Sequence, residues 1–324
     1  MKSICRLSAL LWLGAALPAV AADPVRDYPT RPIRLVMGNA PGSATDTIGR
    51  IVSERLAVAL GQPIVVDNRV GAGGTLGMEI GKNARPDGYT LIVASLGALT
   101  ISPHIRKNLP YDPINDFEYV VQYVRQGNIL VANPTLPVRN ARDLIALAKG
   151  RQGKLHMATQ GVGSQSHLNG VALMIAGGFD SLQVPYKGNG PAVQAVMANE
   201  SQWMFGSAGS MLTHSKTGRL RGLGHTLPQR SPLMGDLPPI GETLPGFQYV
   251  AFTGFLAPKG VPKPILEKIR VNVERIVQSP EVHEVFATQG VEPATATPEQ
   301  FRAAIRKELV ETGKLVKAIG LRAD

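Results

Sequence analysis

Cysteine is almost absent from this sequence of 324 residues. The single cysteine, Cys5, lies near the N-terminus, within a segment that we predict to be removed. The rest of the chain therefore forms no disulfide, offers no thiol nucleophile and provides no cysteine ligand for a metal. A chain of this length can fold by its core alone, whereas disulfide-dense scaffolds are typical of short exported domains.

Long apolar runs are absent after residue 22. Before it, Lys2 and Arg6 precede the apolar run Leu7–Leu17, and Pro18–Ala22 supplies small residues. This order predicts a signal peptide at residues 1–22 and a periplasmic mature protein, with an uncleaved anchor as the alternative. No later run approaches the ~20 apolar residues that span a bilayer, which excludes a bundle of membrane helices.

Runs of basic residues are absent as well. The 34 Lys and Arg residues outnumber the 24 Asp and Glu residues, and the net charge is +10. Removal of Lys2 and Arg6 with the signal peptide lowers it to +8. Because the basic residues are scattered and the chain is exported, we exclude nucleic acid as a partner. The mild positive field favours small anions or contributes only to solubility.

The sequence also lacks the common cofactor and metal motifs. Gly71–Gly77 fails the dinucleotide pattern GxGxxG because Leu76 takes the place of the last glycine, and no P-loop, GxSxG elbow or HExxH motif occurs. We therefore predict no cofactor and no metal. Ser164 or Ser166 with His167 leaves a periplasmic hydrolase as an alternative, although no third orienting group or oxyanion hole is identifiable.

Short strands and helices alternate in two successive blocks of the chain. The first block begins at Ile33–Met37, and the second extends from Asn140 to Gly224. The length predicts about two domains, and the alternation predicts an α/β protein with mostly parallel sheets and helices on their faces. An extended return segment, Tyr249–Leu256, precedes three predicted helices that begin at prolines: Pro264–Val277, Pro280–Thr288 and Pro298–Ile319.

Two loops of the sequence share one design. Asn39–Asp46 and Thr159–His167 each follow a predicted strand, contain glycine and small hydroxyl residues, and open a predicted helix. Glycine lets a ligand approach the backbone, and a helix N-terminus offers unpaired N–H groups and a positive dipole end. Each loop alone is better explained as an ordinary turn with a helix cap. The matched pair predicts a clamp for a small anion between two domains.

Several short motifs resemble those of one protein family. They span the whole mature chain and occur in the same order and with similar spacing as in that family. They are Tyr28–Arg34, Asp67–Gly74, Ala84–Leu91, Leu109–Pro113, Ser164–Leu168, Val184–Gly188, Leu256–Pro258 and Thr297–Phe301. In these motifs the chain resembles the Bug family, the TctC-like periplasmic solute receptors of tripartite tricarboxylate transporters. The resemblance implies reversible binding of a small organic carboxylate without catalysis, and delivery to an inner-membrane permease. A ligand-dependent sensor subunit for a membrane receptor is the alternative.

The resemblance also implies the architecture. It indicates a type II periplasmic-binding-protein fold, in which two α/β domains are joined by two crossing strands and close on a ligand. Domain 1 would comprise residues 23–125 plus 251–324, and domain 2 residues 126–250. We expect the protein to be a monomer.

The same resemblance implies which residues line the cleft. Backbone N–H groups, hydroxyls and waters of the first loop, from Ala40, and of the second loop, from Gln160, would hold one carboxylate. A third segment, from Ser95 to Ala98, would line the same cleft. The predicted ligand-binding residues are Ala40, Pro41, Gly42, Ser43, Thr45, Asp46, Ser95, Leu96, Gly97, Gln160, Gly161, Val162, Gly163, Ser164, Ser166, Gly206 and Ser207.

The acids near these loops bear on the ligand class. Asp46 would repel an anion if it pointed inward, so we expect it to satisfy backbone donors in the first turn, or to bind a water or a ligand hydroxyl. Gln202 and Gly206 stand where the family often has acids, and Trp203 between them is either apolar surface or a core residue. A buried ammonium needs an acceptor. We therefore hypothesise a ligand without ammonium, such as a di- or tricarboxylate or an aromatic acid.

Overall fold

The computed structural model describes residues 26–94 and 96–320. The predicted signal peptide at residues 1–22, Cys5 and the predicted site residue Ser95 lie outside the described residues.

Strands and helices alternate along the described chain, which confirms the predicted α/β class. The strands are β1 (Ile33–Met37), β2 (Ile64–Asn68), β3 (Thr90–Val93), β4 (Phe117–Ala132), β5 (His156–Thr159), β6 (Leu182–Pro185), β7 (Trp203–Ser207), β8 (Arg221–His225), β9 (Val250–Pro258) and β10 (Glu292–Ala296). The helices are α1 (Ala44–Leu60), α2 (Thr75–Lys82), α3 (Ser102–Ile105), α4 (Ala141–Lys149), α5 (Gln165–Gly177), α6 (Asn189–Met197), α7 (Ala208–Lys216), α8 (Lys263–Val277), α9 (Pro280–Thr288) and α10 (Pro298–Ile319).

The strands form one continuous sheet path with the order β2-β1-β3-β9-β4-β7-β5-β6, and β8 and β10 also pair with β4. In what we call the first region, β1 is parallel to β2 and β3, and β9 is antiparallel to β3 and β4. In the second region, β5 is parallel to β6 and β7, and β7 and β8 are antiparallel to β4.

Strand β4 belongs to both regions. Its residues Phe117–Gly127 pair with β9, and its residues Asn128–Ala132 pair with β7 and β8. The polar residues Arg125, Gln126 and Asn128 interrupt the apolar run of this strand. Backbone pairing continues through them, so that one strand connects the two sheets.

Each region has its own apolar core. In the first region, Ile48, Val52 and Leu56 of α1 are fully buried with strand residues. Their spacing of four residues places them on one helical face, and complete burial of each such side chain stabilises the fold by about 1.5–3 kcal/mol. In the second region, Trp203 and Phe205 of β7 are buried with Leu173 of α5, so Trp203 is a core residue.

Candidate ligand-binding site

The predicted loops lie at the carboxyl ends of parallel strands. The first loop follows β1 and the third segment follows β3, whereas the second loop follows β5 and Ser207 ends β7. Because parallel neighbours in a sheet point the same way, the loops of each region gather at one edge, where α/β proteins bind ligands.

The first loop ends in a helix cap with an added return bond. Ser43 is the N-cap residue of α1, and its Oγ accepts the N–H of Asp46 over 3.3 Å. The Asp46 carboxylate in turn accepts the N–H of Gly42 over 2.9 Å. Gly42 has a φ of +77°, a conformation that favours glycine. The expectation that Asp46 satisfies a backbone donor is confirmed, although Gly42 precedes the first helical turn.

Two further side chains hold Asp46, which is only 2% exposed. Arg50 Nε donates to its Oδ2 over 3.0 Å, and Asn68 Nδ2 donates to its Oδ1 over 2.8 Å. Burial raises the pKa of Asp46, but the hydrogen bonds from Arg50, Asn68 and Gly42 outweigh it and hold the pKa below its usual value. The carboxylate therefore acts as an ionised brace within the first loop.

The second loop repeats this geometry with a different acceptor. Ser164 is the N-cap residue of α5, and its Oγ accepts the N–H of His167 over 3.2 Å. The Nδ1 atom of His167 accepts the N–H of Gly163 over 3.1 Å, and Gly163 has a φ of +74°. The Nε2 atom of His167 pairs with Oε1 of Gln183 on β6. Asp46 and His167 thus hold equivalent places, three residues after the two N-cap serines.

The cap serines bind the third N–H group of each helix and leave the first two without a cap bond. In α1 these belong to Ala44 and Thr45, and in α5 to Gln165 and Ser166. Such groups have no intrahelical acceptor, and with the helix dipole they favour an anion. Sequence analysis identified the two loops, but the return bonds depend on backbone geometry and were not predicted.

The predicted site residues differ in exposure. Ala40, Pro41, Gly42 and Val162 are exposed; Ser43, Thr45, Gly97, Gln160, Gly161, Gly163, Ser164 and Ser207 are partly buried; Asp46, Leu96, Ser166 and Gly206 are buried. Two buried members face inward. The Ser166 hydroxyl donates to the Phe205 carbonyl over 2.7 Å, and a Cβ at Gly206 would lie 2.7 Å from the Met211 sulfur. The Ser166 side chain and position 206 therefore point into the second region.

Gln202 lies away from these loops. It precedes β7, whereas Ser207 ends that strand, about 16 Å further along an extended chain. Its amide accepts the His156 N–H over 2.8 Å and donates to the Asn199 carbonyl over 3.0 Å. Gln202 therefore lies at the opposite end of β7 from Ser207.

The two regions meet beside the second loop and α7. A Cβ at Gly163 would lie 3.3 Å from Cδ1 of Ile105, so the second loop contacts the segment that follows β3. Near it, Ile101, Leu168 of α5 and Val316 of α10 are buried together. At α7, a Cβ at Gly209 would lie 2.6 Å from the carbonyl oxygen of Gln289. The second loop and α7 therefore contact residues of the first region.

Sequence analysis missed several supporting residues. Arg50 and Asn68 brace the first loop, and Gln183 braces the second. In the second region, Gln160 donates to Asn189 over 3.0 Å, and Asn189 donates to Ser210 over 3.2 Å. Asn68 ends the strand β2 and Gln183 lies within the strand β6, so polar residues in short predicted strands were the available signal.

The described residues do not show the pairing of a serine hydroxyl with the His167 ring that the hydrolase alternative requires. Both ring nitrogens of His167 are engaged, one by Gly163 and the other by Gln183, and the Ser166 hydroxyl is bound to a carbonyl. The described residues therefore hold no pairing of His167 with either serine hydroxyl as nucleophile and base. Within residues 26–94 and 96–320, no group of three or more His, Cys, Asp or Glu side chains is placed to hold a metal ion. No helix in that part of the chain has the length and apolar character to cross a membrane.

Three solved structures illustrate what this chain is similar to. The periplasmic binding protein BugD superposes with a TM-score of 0.80 at 30% identity, covering 91% of this chain and 99% of that chain. An R. palustris protein solved with adipate superposes with a TM-score of 0.83 at 27% identity, covering 91% of this chain and 99% of that chain. MatC from Rhodopseudomonas palustris, solved with bound malate, superposes with a TM-score of 0.77 at 29% identity, covering 89% of this chain and 100% of that chain. These similarities confirm the predicted type II periplasmic-binding-protein fold.

The family follows from the sequence itself. The model of the tripartite tricarboxylate transporter family receptor, TctC, matches residues 48–321, which is most of the chain. The resemblance to Bug proteins noted in the sequence is thereby confirmed. This chain belongs to the TctC/Bug family of periplasmic solute-binding receptors.

Proposed function

We propose that this protein captures a small organic carboxylate between the first and second loops and delivers it to an inner-membrane permease. The observation that carries the proposal is the matched pair of capped helix N-termini, on α1 and α5, at the carboxyl ends of β1 and β5. The family supports the permease as partner. The protein acts as a monomer without catalysis, and the signal peptide at residues 1–22 exports it to the periplasm.

The carboxylate is held by backbone donors. The N–H groups of Ala44 and Thr45 serve one side, and those of Gln165 and Ser166 serve the other. The Thr45 and Ser164 side chains and the third segment around Gly97 add hydrogen bonds, directly or through water. No lysine or arginine is needed, because two helix dipoles already favour negative charge.

Binding is coupled to closure of two domains. Domain 1 comprises residues 23–125 plus 251–324, and domain 2 comprises residues 126–250. The two strands that run between them, β4 and β9, supply the hinge, because rotation about them leaves both cores intact. The ligand stabilises the closed form because only that form places both helix N-termini against one carboxylate.

The ligand carries no ammonium group. An ammonium buried in the cleft would need an acceptor, preferably a carboxylate. Asp46 is the only acid in the three proposed segments, and its oxygens already accept from Gly42, Arg50 and Asn68. Adipate and malate, which occur in the related structures, are dicarboxylates of the proposed class.

Calorimetry with matched ligands tests the proposal. Malate and aspartate share a four-carbon dicarboxylate skeleton and differ in a hydroxyl against an ammonium. We expect at least one acid among malate, adipate, citrate and benzoate to bind the mature protein, and aspartate and glutamate to give no heat of binding. Micromolar binding of a free amino acid, with the plain acids silent, would contradict the proposed ligand class.

A further inference from the structure

The two ligand loops differ in the atom that closes their return bond. In the first loop a carboxylate oxygen of Asp46 accepts the Gly42 N–H, and in the second loop Nδ1 of His167 accepts the Gly163 N–H. We propose that His167 is a positioning residue whose neutral imidazole holds the second loop in its binding conformation, so that acidification releases the bound carboxylate. The inference rests on the proposed function, since it assumes that the second loop contacts the ligand.

The hydrogen bonds of His167 define its proton positions. A nitrogen that accepts an N–H carries no proton itself, so the proton of the neutral ring is on Nε2, where it is donated to Gln183. In the imidazolium form both ring nitrogens are donors. Nδ1–H would then oppose the Gly163 N–H, and the bond that closes the second loop would be lost.

Gly163 depends on that bond for its position. Its φ of +74° is unfavourable for other residues, and its backbone lies against Ile105 across the boundary between the two regions. The next amide along the chain, that of Ser164, is bound to the Gly161 carbonyl over 3.1 Å. Displacement of Gly163 therefore moves the N-cap serine and the N-terminus of α5 with it.

The surroundings of His167 favour the neutral ring. The side chain is 5% exposed, and burial lowers its pKa, against a smaller opposing effect of Gln183. The segment that contacts the second loop contains His104 of α3, which hydrogen-bonds to the Leu309 carbonyl over 2.7 Å, and Arg106 follows it. Asp180, before β6, accepts the Ser181 N–H over 2.9 Å. Strands β6 and β7 contain no charged residue, and His156 of β5 contacts the Glu200 carbonyl. On α10, Lys314 pairs with Glu311, and Lys317 is exposed.

The two loops consequently respond to pH in different ranges. The pKa of Asp46 lies below its usual 3.8, so the first loop keeps its ionised brace throughout mildly acidic conditions. The pKa of His167 lies below its usual 6.5, so the second loop is braced at neutral pH and loses its brace as pH falls through the His167 pKa. Acid release in this range therefore acts through the second loop.

Two substitutions at His167 distinguish the loss of the hydrogen-bond acceptor from the gain of positive charge on the ring. In His167→Asn, Oδ1 can accept the Gly163 N–H but does not titrate, whereas His167→Leu fills space without an acceptor. For malate binding measured by calorimetry from pH 7.5 to pH 4.5, we expect the wild-type Kd to rise at least tenfold more than that of His167→Asn. At pH 7.5, His167→Leu should bind about tenfold more weakly than wild type, and asparagine should recover part of that loss. Protonation of malate affects all variants equally and cancels in the comparison.

A substitution at Gln183, which lies outside the second loop, should change the pH at which His167 is protonated. In Gln183→Glu, the added carboxylate beside Nε2 stabilises the imidazolium, so the acidic fall in affinity should shift to higher pH. In the ligand-free protein, NMR should show the Gly163 amide shift following the titration of the His167 ring. Equal acid profiles for wild type and His167→Asn, or a Gly163 amide that ignores the ring titration, would overturn the inference. If no acid binds even at pH 7.5, the proposed function fails, and the NMR titration still decides the role of His167.

Discussion

Gly42 and Gly163 occupy the same place in the two ligand loops, directly before the N-cap serines of α1 and α5. Both have positive φ, and both donate their N–H to the residue three positions after the N-cap. A larger residue at either place would have to adopt a strained backbone or shift the loop. Substitution of either glycine therefore tests whether its loop binds the ligand, without removing any hydrogen-bonding side chain.

We expect Gly42→Val to weaken carboxylate binding by about 1.4 kcal/mol or more, which is about tenfold in Kd. The valine strains the backbone and covers the approach to the first two N–H groups of α1. Gly61→Val is the matched control, because Gly61 ends the same helix with a φ of +69°. As at Gly42, a Cβ added at Gly61 would meet no atom within 4 Å.

The control lies about 25 Å from Gly42 along α1. Both variants should lose thermal stability, and only Gly42→Val should lose affinity in calorimetry. The same comparison applies to α5, with Gly163→Val against Gly178→Val, since Gly178 ends that helix with a φ of +64°. Wild-type affinity in both loop variants would show that the paired loops are not the binding site.

At the scale of elements, the helix caps connect stability to binding. The Ser164 hydroxyl accepts the His167 N–H at the start of α5, and the Ser279 hydroxyl accepts the Val282 N–H at the start of α9. Both are N-cap serines with the same kind of bond, but only Ser164 belongs to a ligand loop. Replacing each serine in turn therefore distinguishes the contribution of a cap to stability from its contribution to ligand binding.

Ser164→Ala and Ser279→Ala should each lower the free energy of unfolding by about 1 kcal/mol, the usual cost of losing an N-cap side chain. Only Ser164→Ala should also weaken binding, because the second loop loses the bond that orients α5 toward the ligand. Urea unfolding measures the first effect and calorimetry the second. A loss of affinity in both variants would mean that affinity follows global stability rather than the loop.

Local signals in the sequence predicted some elements to the residue. The starts of α9 and α10 were predicted from Pro280 and Pro298, and Ser279 and Thr297 are their N-caps. Strand β10 was not predicted, because Glu292–Ala296 contains proline and few apolar residues and is extended through its pairing with β4. The helical segment from Gly97 to Ile105 was also missed.

The candidate site was predicted as loops but not as a network. Glycine, serine and threonine after a strand indicated where a ligand could approach the backbone. The equivalence of Asp46 and His167 was not predictable, because it requires the backbone course that brings each side chain back to a glycine N–H. The orientation of Ser166 and Gly206 into the second region depends on packing against Phe205 and Met211 in the same way.

At the scale of the whole molecule, two cores are connected by β4 and β9 and approach each other again at two places. One is the cluster of Ile101, Leu168 and Val316, and the other is the contact of Gly209 with Gln289. The C-terminal helix α10 takes part in the first contact, so it reaches the second region as well as packing on its own. Closure on a ligand has to be compatible with these contacts.

The central claim, that two domains close on a carboxylate held between the first and second loops, is tested most directly by small-angle X-ray scattering. The mature protein is first unfolded, dialysed and refolded, so that no copurified ligand holds it closed. It is then titrated with an acid chosen by calorimetry until the wild-type protein is saturated, and Gly42→Val is titrated in parallel as the control. We predict that the radius of gyration decreases for the wild-type protein, and that the variant needs about tenfold more acid for the same decrease. An unchanged radius of gyration for the wild-type protein under saturation would contradict the central claim.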